Sequence, residues 1–128
     1  MLLTEIKDYF KTKIECPKWY TSKIDGTVEQ CIGIYSVQGP PPNIALGGLA
    51  NTSYSTKAIS ILVHWGKNSN VAEQKAQEVY NNLFGQSTNI GGNRVIKFDM
   101  RTSEPIGIGT DSNGIYEFVI ETVIYFER

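Results

Sequence analysis

The run Ala58 to Trp65 is apolar on both faces that a β-strand presents. Ile59, Ile61, Val63 and Trp65 fall on one side and Ala58, Ser60, Leu62 and His64 on the other, because successive strand side chains point to opposite faces. A strand of this kind belongs inside a sheet rather than at its margin. The chain beyond it is patterned as firmly: an amphipathic helix over Val71 to Phe84, then strands over Arg94 to Met100 and Ile115 to Phe126. Strand, helix and two further strands, in that order, constrain the chain to a mixed α+β fold.

Local chemistry supports each element. Asn70 followed by Glu73 fits a capping box, in which the Asn oxygen accepts a first-turn amide and the glutamate reaches back. The helix stripe is Ala72, Ala76, Val79, Tyr80 and Leu83, and Gly85 supplies the left-handed residue that commonly closes a helix. After the Gly91-Gly92-Asn93 turn, Ile96, Phe98 and Met100 alternate with Val95, Lys97 and Asp99. In the last strand Tyr116, Phe118, Ile120, Ile124 and Phe126 oppose Glu117, Val119, Glu121, Val123 and Tyr125, which predicts a long strand paired on both edges.

Upstream, Leu2, Leu3, Ile6, Tyr9, Phe10 and Ile14 form one helical stripe over Leu3 to Lys13, stopped before Pro17. Val28 to Val37 reads as a strand containing Cys31 and leaves the sheet at Gly39-Pro40-Pro41-Pro42. Two long connections are expected, Gln38 to Thr56 and Arg101 to Gly114. With 128 residues and no internal repeat, residues 1–128 are read as one domain.

Composition narrows the function classes. Apolar residues make up 41% and charged residues 20%, as in a folded globular chain. A net charge of -1 provides no overall basic field for a phosphate backbone, so specific nucleic-acid binding is not expected. The early lysines Lys7, Lys11, Lys13, Lys18 and Lys23 are interleaved with Glu5, Asp8, Glu15 and Asp25, as on a solvated surface. Thr4, Glu5 and Lys7 leave no room for a secretory apolar segment and no run reaches membrane-spanning length, so folding in a cytoplasm is expected. Cys16 and Cys31 are read as free thiols there.

The vocabulary of catalysis is sparse. His64 has no Ser or Cys beside it in sequence to form a nucleophile pair, and Cys16, Cys31 and Asp25 stand at no ligand spacing from it. Glu117 and Glu121 share a strand face at a spacing that a glycosidase pair could use, but charges on a solvent face or in a subunit contact explain them as well. Gly107-Ile108-Gly109 opens like a dinucleotide loop, yet Ser112 stands where its third glycine would be and no helix comes after it. The expectation is no catalytic residue, no metal and no cofactor. Seven tyrosines, two tryptophans and two long connections are instead material for a contact surface.

The strand Ile59 to Trp65, the helix residues Ala72, Ala76, Tyr80 and Leu83, Ile90-Gly91, the loop at Pro105, Asp111 to Gly114 and the closing Tyr116 to Phe126 strand together resemble the small tail-terminator and minor capsid proteins of siphophages. The resemblance covers Lys57 to the end, and the first helix is compatible with it. It implies two helices packed on one face of a mainly antiparallel sheet, and a structural, non-enzymatic virion subunit assembled in the bacterial host. Such a subunit forms a ring, six-fold in the family, that ends tail-tube polymerisation and joins tail to head. Its partners would be further copies of itself, the tail tube protein and head-tail connector proteins, with DNA passing through the ring. Arg101, Glu104 and Asp111 in one connection, and Pro41, Pro42 and Tyr54 in or beside the other, are the expected interface residues. A neck or connector component, and a small non-enzymatic ligand-binding domain using the open sheet face, remain alternatives.

Overall fold

The computed structural model describes residues 1–41, 48 and 53–127. The elements run α1 (Leu3–Lys11), β1 (Lys18–Thr21), β2 (Gln30–Ser36), β3 (Tyr54–Trp65), α2 (Ser69–Asn81), β4 (Thr88–Ile90), β5 (Asn93–Met100), β6 (Ile106–Thr110) and β7 (Tyr116–Glu127). The fold is α+β. One seven-stranded sheet has the order β1-β2-β3-β7-β5-β4, with β6 also paired to β7. Every pairing is antiparallel except β1 with β2.

The apolar alternation decides what each strand buries. Ile32 and Ile34 of β2, Ile59, Ile61 and Val63 of β3, and Ile120 and Ile124 of β7 belong to one buried cluster. That cluster also takes in Ile6 and Phe10 of α1, Ala72, Ala76 and Val79 of α2, and Leu83 just beyond it. The two alanines present little side chain, which lets the α2 backbone come close to its neighbours.

The helix ends show how local chemistry sets boundaries. Glu5 Oε1 accepts the Leu2 backbone N–H at 2.7 Å, satisfying a donor that the first turn of α1 leaves free. At α2 the cap is Asn68 and not Asn70: Asn68 Oδ1 accepts from the backbone N–H groups of Asn70 at 3.0 Å and Val71 at 3.3 Å. Helix α2 therefore starts earlier than the Asn70–Glu73 spacing predicts.

β7 organises the sheet. One edge pairs with β3, from Glu117 against His64 to Glu127 against Tyr54. The opposite edge is shared, with β5 along Thr122 to Phe126 and β6 along Tyr116 to Val119. Arg101 to Gly114, expected as a loop, is thus an excursion over 101–105, strand β6 and a tight turn into β7. The two glycines of Ile106-Gly107-Ile108-Gly109-Thr110 hide this strand from propensity-based reading. Strands β1 and β4 also go beyond the sequence expectation, and Tyr54 to Thr56 belong to β3 rather than to the preceding connection. Residues 42–47 and 49–52 of that connection lie outside the described residues.

Glycines close two parts of the frame. Gly91 and Gly92, both at positive φ, form the two-residue turn between β4 and β5, the geometry that matches hairpin twist. Gly33 on β2 leaves room for the β1–β2 connection: a Cβ there would stand 2.6 Å from Ile24 Cγ2. Because Ile32 and Ile34 point into the core cluster, Ile24 packs over the opposite face of the sheet.

Candidate assembly surface

Strand register brings together three side chains far apart in the chain. Cys31 on β2 lies directly across from His64 on β3, which lies across from Glu117 on β7. Cys31 Sγ is 3.6 Å from His64 Nδ1, and His64 Nε2 is 2.7 Å from Asp111 Oδ2. The carboxylate accepts, so Nε2 carries the proton and Nδ1 is left to accept the thiol S–H. The sequence around His64 holds no cysteine, and β2–β3 pairing supplies one from the neighbouring strand.

This order of groups resembles a nucleophilic triad, but the thiol is in the wrong state for that chemistry. Cys31 and His64 are both 0% exposed. Burial pushes the Cys31 thiol up to about 11, with the negative charges of Asp25 and Glu117 adding to the effect after that of Cys16. Reactive thiols need the opposite environment, exposed and electropositive. The Cys31–His64–Asp111 chain acts as a buried hydrogen-bonded pin. Among the described residues no group of three or more His, Cys, Asp or Glu side chains is disposed to hold a metal ion.

The pin fixes the turn between β6 and β7. Asp111 Oδ1 accepts the backbone N–H groups of Asn113 at 2.9 Å and Ile115 at 3.0 Å, while Oδ2 takes the histidine. The His64 hydrogen bond, followed by that of the Ile115 amide, holds the Asp111 carboxyl below its ordinary range. Asn113 Nδ2 donates to the Gly26 carbonyl at 3.3 Å, and the Tyr116 N–H donates to the Gly66 carbonyl at 2.9 Å. The hairpin end is therefore tied both to the end of β3 and to the β1–β2 connection. Beside it, desolvation raises the Glu117 carboxyl, opposed by His64 and reinforced by Asp111.

What this frame presents is β6. All five of its residues are exposed, and Ile106 and Ile108 are exposed by 46% and 54%. With Arg101, Thr102, Val119 and Glu121 they line a cavity of about 350 Å³. The excursion at 101–105 is held at its base: the Arg101 N–H donates to the Glu121 carbonyl at 3.0 Å, and the Tyr80 hydroxyl to the Thr102 carbonyl at 2.7 Å. Arg101 also borders a second cavity of about 480 Å³, with Gly39, Pro40, Asp99 and Tyr125.

The six expected interface residues do not converge on one patch. Arg101 and Glu104 are exposed on the excursion beside β6. Asp111 is close by, but its side chain is only 20% exposed and its oxygens are engaged internally, so it shapes the surface instead of offering a free charge. Tyr54 lies at the far end of β3, half-buried, its ring 5.6 Å from that of Tyr125. Pro41 is exposed at the exit from β2, and Pro42 lies outside the described residues. Two features escape sequence reading: the Cys31–His64 contact, which depends on register, and the Ile106/Ile108 edge. The alternation of isoleucine with glycine is the available signal for the second.

Residues 11–128 match the family model described as bacteriophage tail terminator protein. No curated protein matches the chain.

Proposed function

The chain belongs to the bacteriophage tail terminator family, and from that premise we propose that it is a virion structural subunit that closes the end of the tail tube. Copies join in a closed, six-fold ring that stops tube polymerisation, and the completed ring offers the tail to the head through connector proteins. The observation that carries this reading is the family match, which takes in all seven strands, α2 and the hairpin that presents β6.

The structure supplies supporting features. Ile6 and Phe10 of α1 share one buried cluster with Ala72, Ala76 and Val79 of α2, as expected if both helices cover a single sheet face in the manner of a tail terminator. The exposed apolar residues of β6 lie beside Arg101 and Glu104, giving a mixed apolar and charged patch suited to a subunit or tube contact. No helix among the described residues is long and apolar enough to cross a membrane.

The test is genetic and structural. Deleting the gene from its phage should give tails of irregular length or tails without heads under the electron microscope, with restoration by the gene supplied in trans. Tails of normal length joined to heads in the deletion strain would refute the reading.

A further inference from the structure

β6 and β1 are open edges at opposite margins of the sheet. β6 pairs with β7 and β1 with β2, and among the described residues neither strand has a second strand partner. An open strand edge is a template for pairing with another chain unless it is guarded by charges, prolines or a cover. β6 carries no charge and no proline within Ile106-Gly107-Ile108-Gly109-Thr110, and it holds two isoleucines out to solvent.

The two margins complement each other in charge and shape. Beside β6 stand Glu104 and Glu121 against Arg101, and Lys11 and Lys18 against Glu15 line the hollow beside β1. The first margin is acidic and the second basic. Beside β1 is a hollow of about 420 Å³ whose walls include Ile14, Pro17 and Trp19 with Lys11 and Lys18. The β6 margin projects apolar side chains, and the β1 margin has a recess in which Pro17 and Trp19 stand among Lys11, Glu15 and Lys18.

We propose that β6 of one copy docks along β1 of the next, with Ile106 and Ile108 directed to the recess beside Trp19. The occupant is a second copy of this chain, selected by the opposite charges of the two edges. Such a contact is heterologous, so each copy uses one edge to give and the other to receive, and repetition closes a ring when the rotation allows. The register shift between Gly107 and Gly109 limits how much of β6 can run continuously beside a partner. A short partner such as β1 fits that limit, and extended edge-to-edge growth does not.

This inference rests on the proposed ring, and cross-linking during phage assembly separates the two. In a Cys16→Ser background, one copy carries Ile108→Cys and another carries a cysteine at Lys18, Tyr20 or Thr21; both are expressed together in infected cells and treated with a short bismaleimide. The expected result is a dimer band from the mixture at one or more of the three positions, none from either single variant alone, and a ladder of larger species when both cysteines are on the same chain. Absence of cross-links at all three positions, in lysates where the same variants restore normal tails to the deletion strain, overturns the edge pairing and leaves tail termination standing. A band from Ile108→Cys alone overturns it too, since it would mean two-fold β6–β6 pairing. Failure of the deletion strain to show any tail defect would instead remove the ring on which the pairing depends.

Discussion

His64 and Asp111 are 47 positions apart in the chain and 2.7 Å apart in space, one at the end of β3 and the other in the turn that starts β7. The contact joins the central strand to the hairpin that carries the most exposed strand of the sheet. It lets a short strand rich in glycine hold its place: β6 has little propensity of its own, and its far end is fixed by a turn whose aspartate accepts three hydrogen bonds.

Asp111→Asn should lower the melting temperature at neutral pH and should also loosen the hairpin, read as faster amide exchange at Asn113 and Ile115. The sign with pH comes from the carboxyl being held below its ordinary value of 3.8. Its contribution is present in full above that value and is lost as pH falls through the lower folded-state value. The gap between the native protein and the variant should therefore close in acid. Melting curves by circular dichroism from neutral to strongly acidic pH would check it, and a gap that widens in acid would contradict the assignment.

Glu117→Gln should act in the opposite sense. Desolvation raises the Glu117 carboxyl above its ordinary 4.5, so the folded protein holds the protonated form more readily than the unfolded chain does. The stability this group adds is present below 4.5 and disappears as pH rises through the folded value, which leaves the cost of a partly buried charge at neutral pH. The amide keeps the shape and removes the charge beside Asp111. The variant should melt higher than the native protein at neutral pH and lose that advantage in acid.

Helix α2 offers a test of packing and of capping. Leu83 is fully buried in the core cluster, so Leu83→Ala should cost about 2–5 kcal/mol in urea unfolding. Asn68→Ala should cost about 1 kcal/mol through loss of the two cap hydrogen bonds. Asn70→Ala, which removes an exposed side chain within the first turn, should stay within about 0.5 kcal/mol of the native protein. Equal costs at Asn68 and Asn70 would contradict the placing of the cap.

How legible each part is in the sequence depends on the range of the interactions behind it. The run Ala58 to Trp65 and the closing strand declare themselves because each alternates over enough residues to show which side is buried, and β3 and β7 are indeed neighbours in the middle of the sheet. The α2 stripe is equally clear, whereas Asn68 and Asn70 are chemically identical candidates and the Glu73 spacing favours the wrong one. Short strands fail for a different reason: Lys18–Thr21, Thr88–Ile90 and Ile106–Thr110 exist because a neighbour pairs with them, and their own residues specify little. The pin is the extreme case. Placing Cys31 opposite His64 requires the β2–β3 register, which no local pattern contains.

The excursion at 101–105 is where charge should matter most for assembly. Arg101 borders both cavities on this side of the sheet, and Glu104 is exposed beside it. Neither side chain is part of the core, so reversing both, Arg101→Glu with Glu104→Arg, should leave the melting temperature within a few degrees of native. It exchanges the two charges without changing their sum, so an effect on assembly would report their placement rather than the net field of the protein. If the excursion meets a neighbouring copy or the tail tube, the reversed pair sets like charges against each other at each contact. In a closed ring that fault recurs at each interface. The expected outcome in the deletion strain is a folded protein that fails to restore tails of uniform length or their attachment to heads. Because exposed charges are screened over about 8–10 Å at physiological ionic strength, raised salt should weaken subunit association of the native protein and partly relieve the defect of the variant. Electron microscopy of tails, with sedimentation of the purified protein at low and high salt, gives both readouts. Normal virions from the double variant would show that this excursion makes no charged contact in the assembled tail.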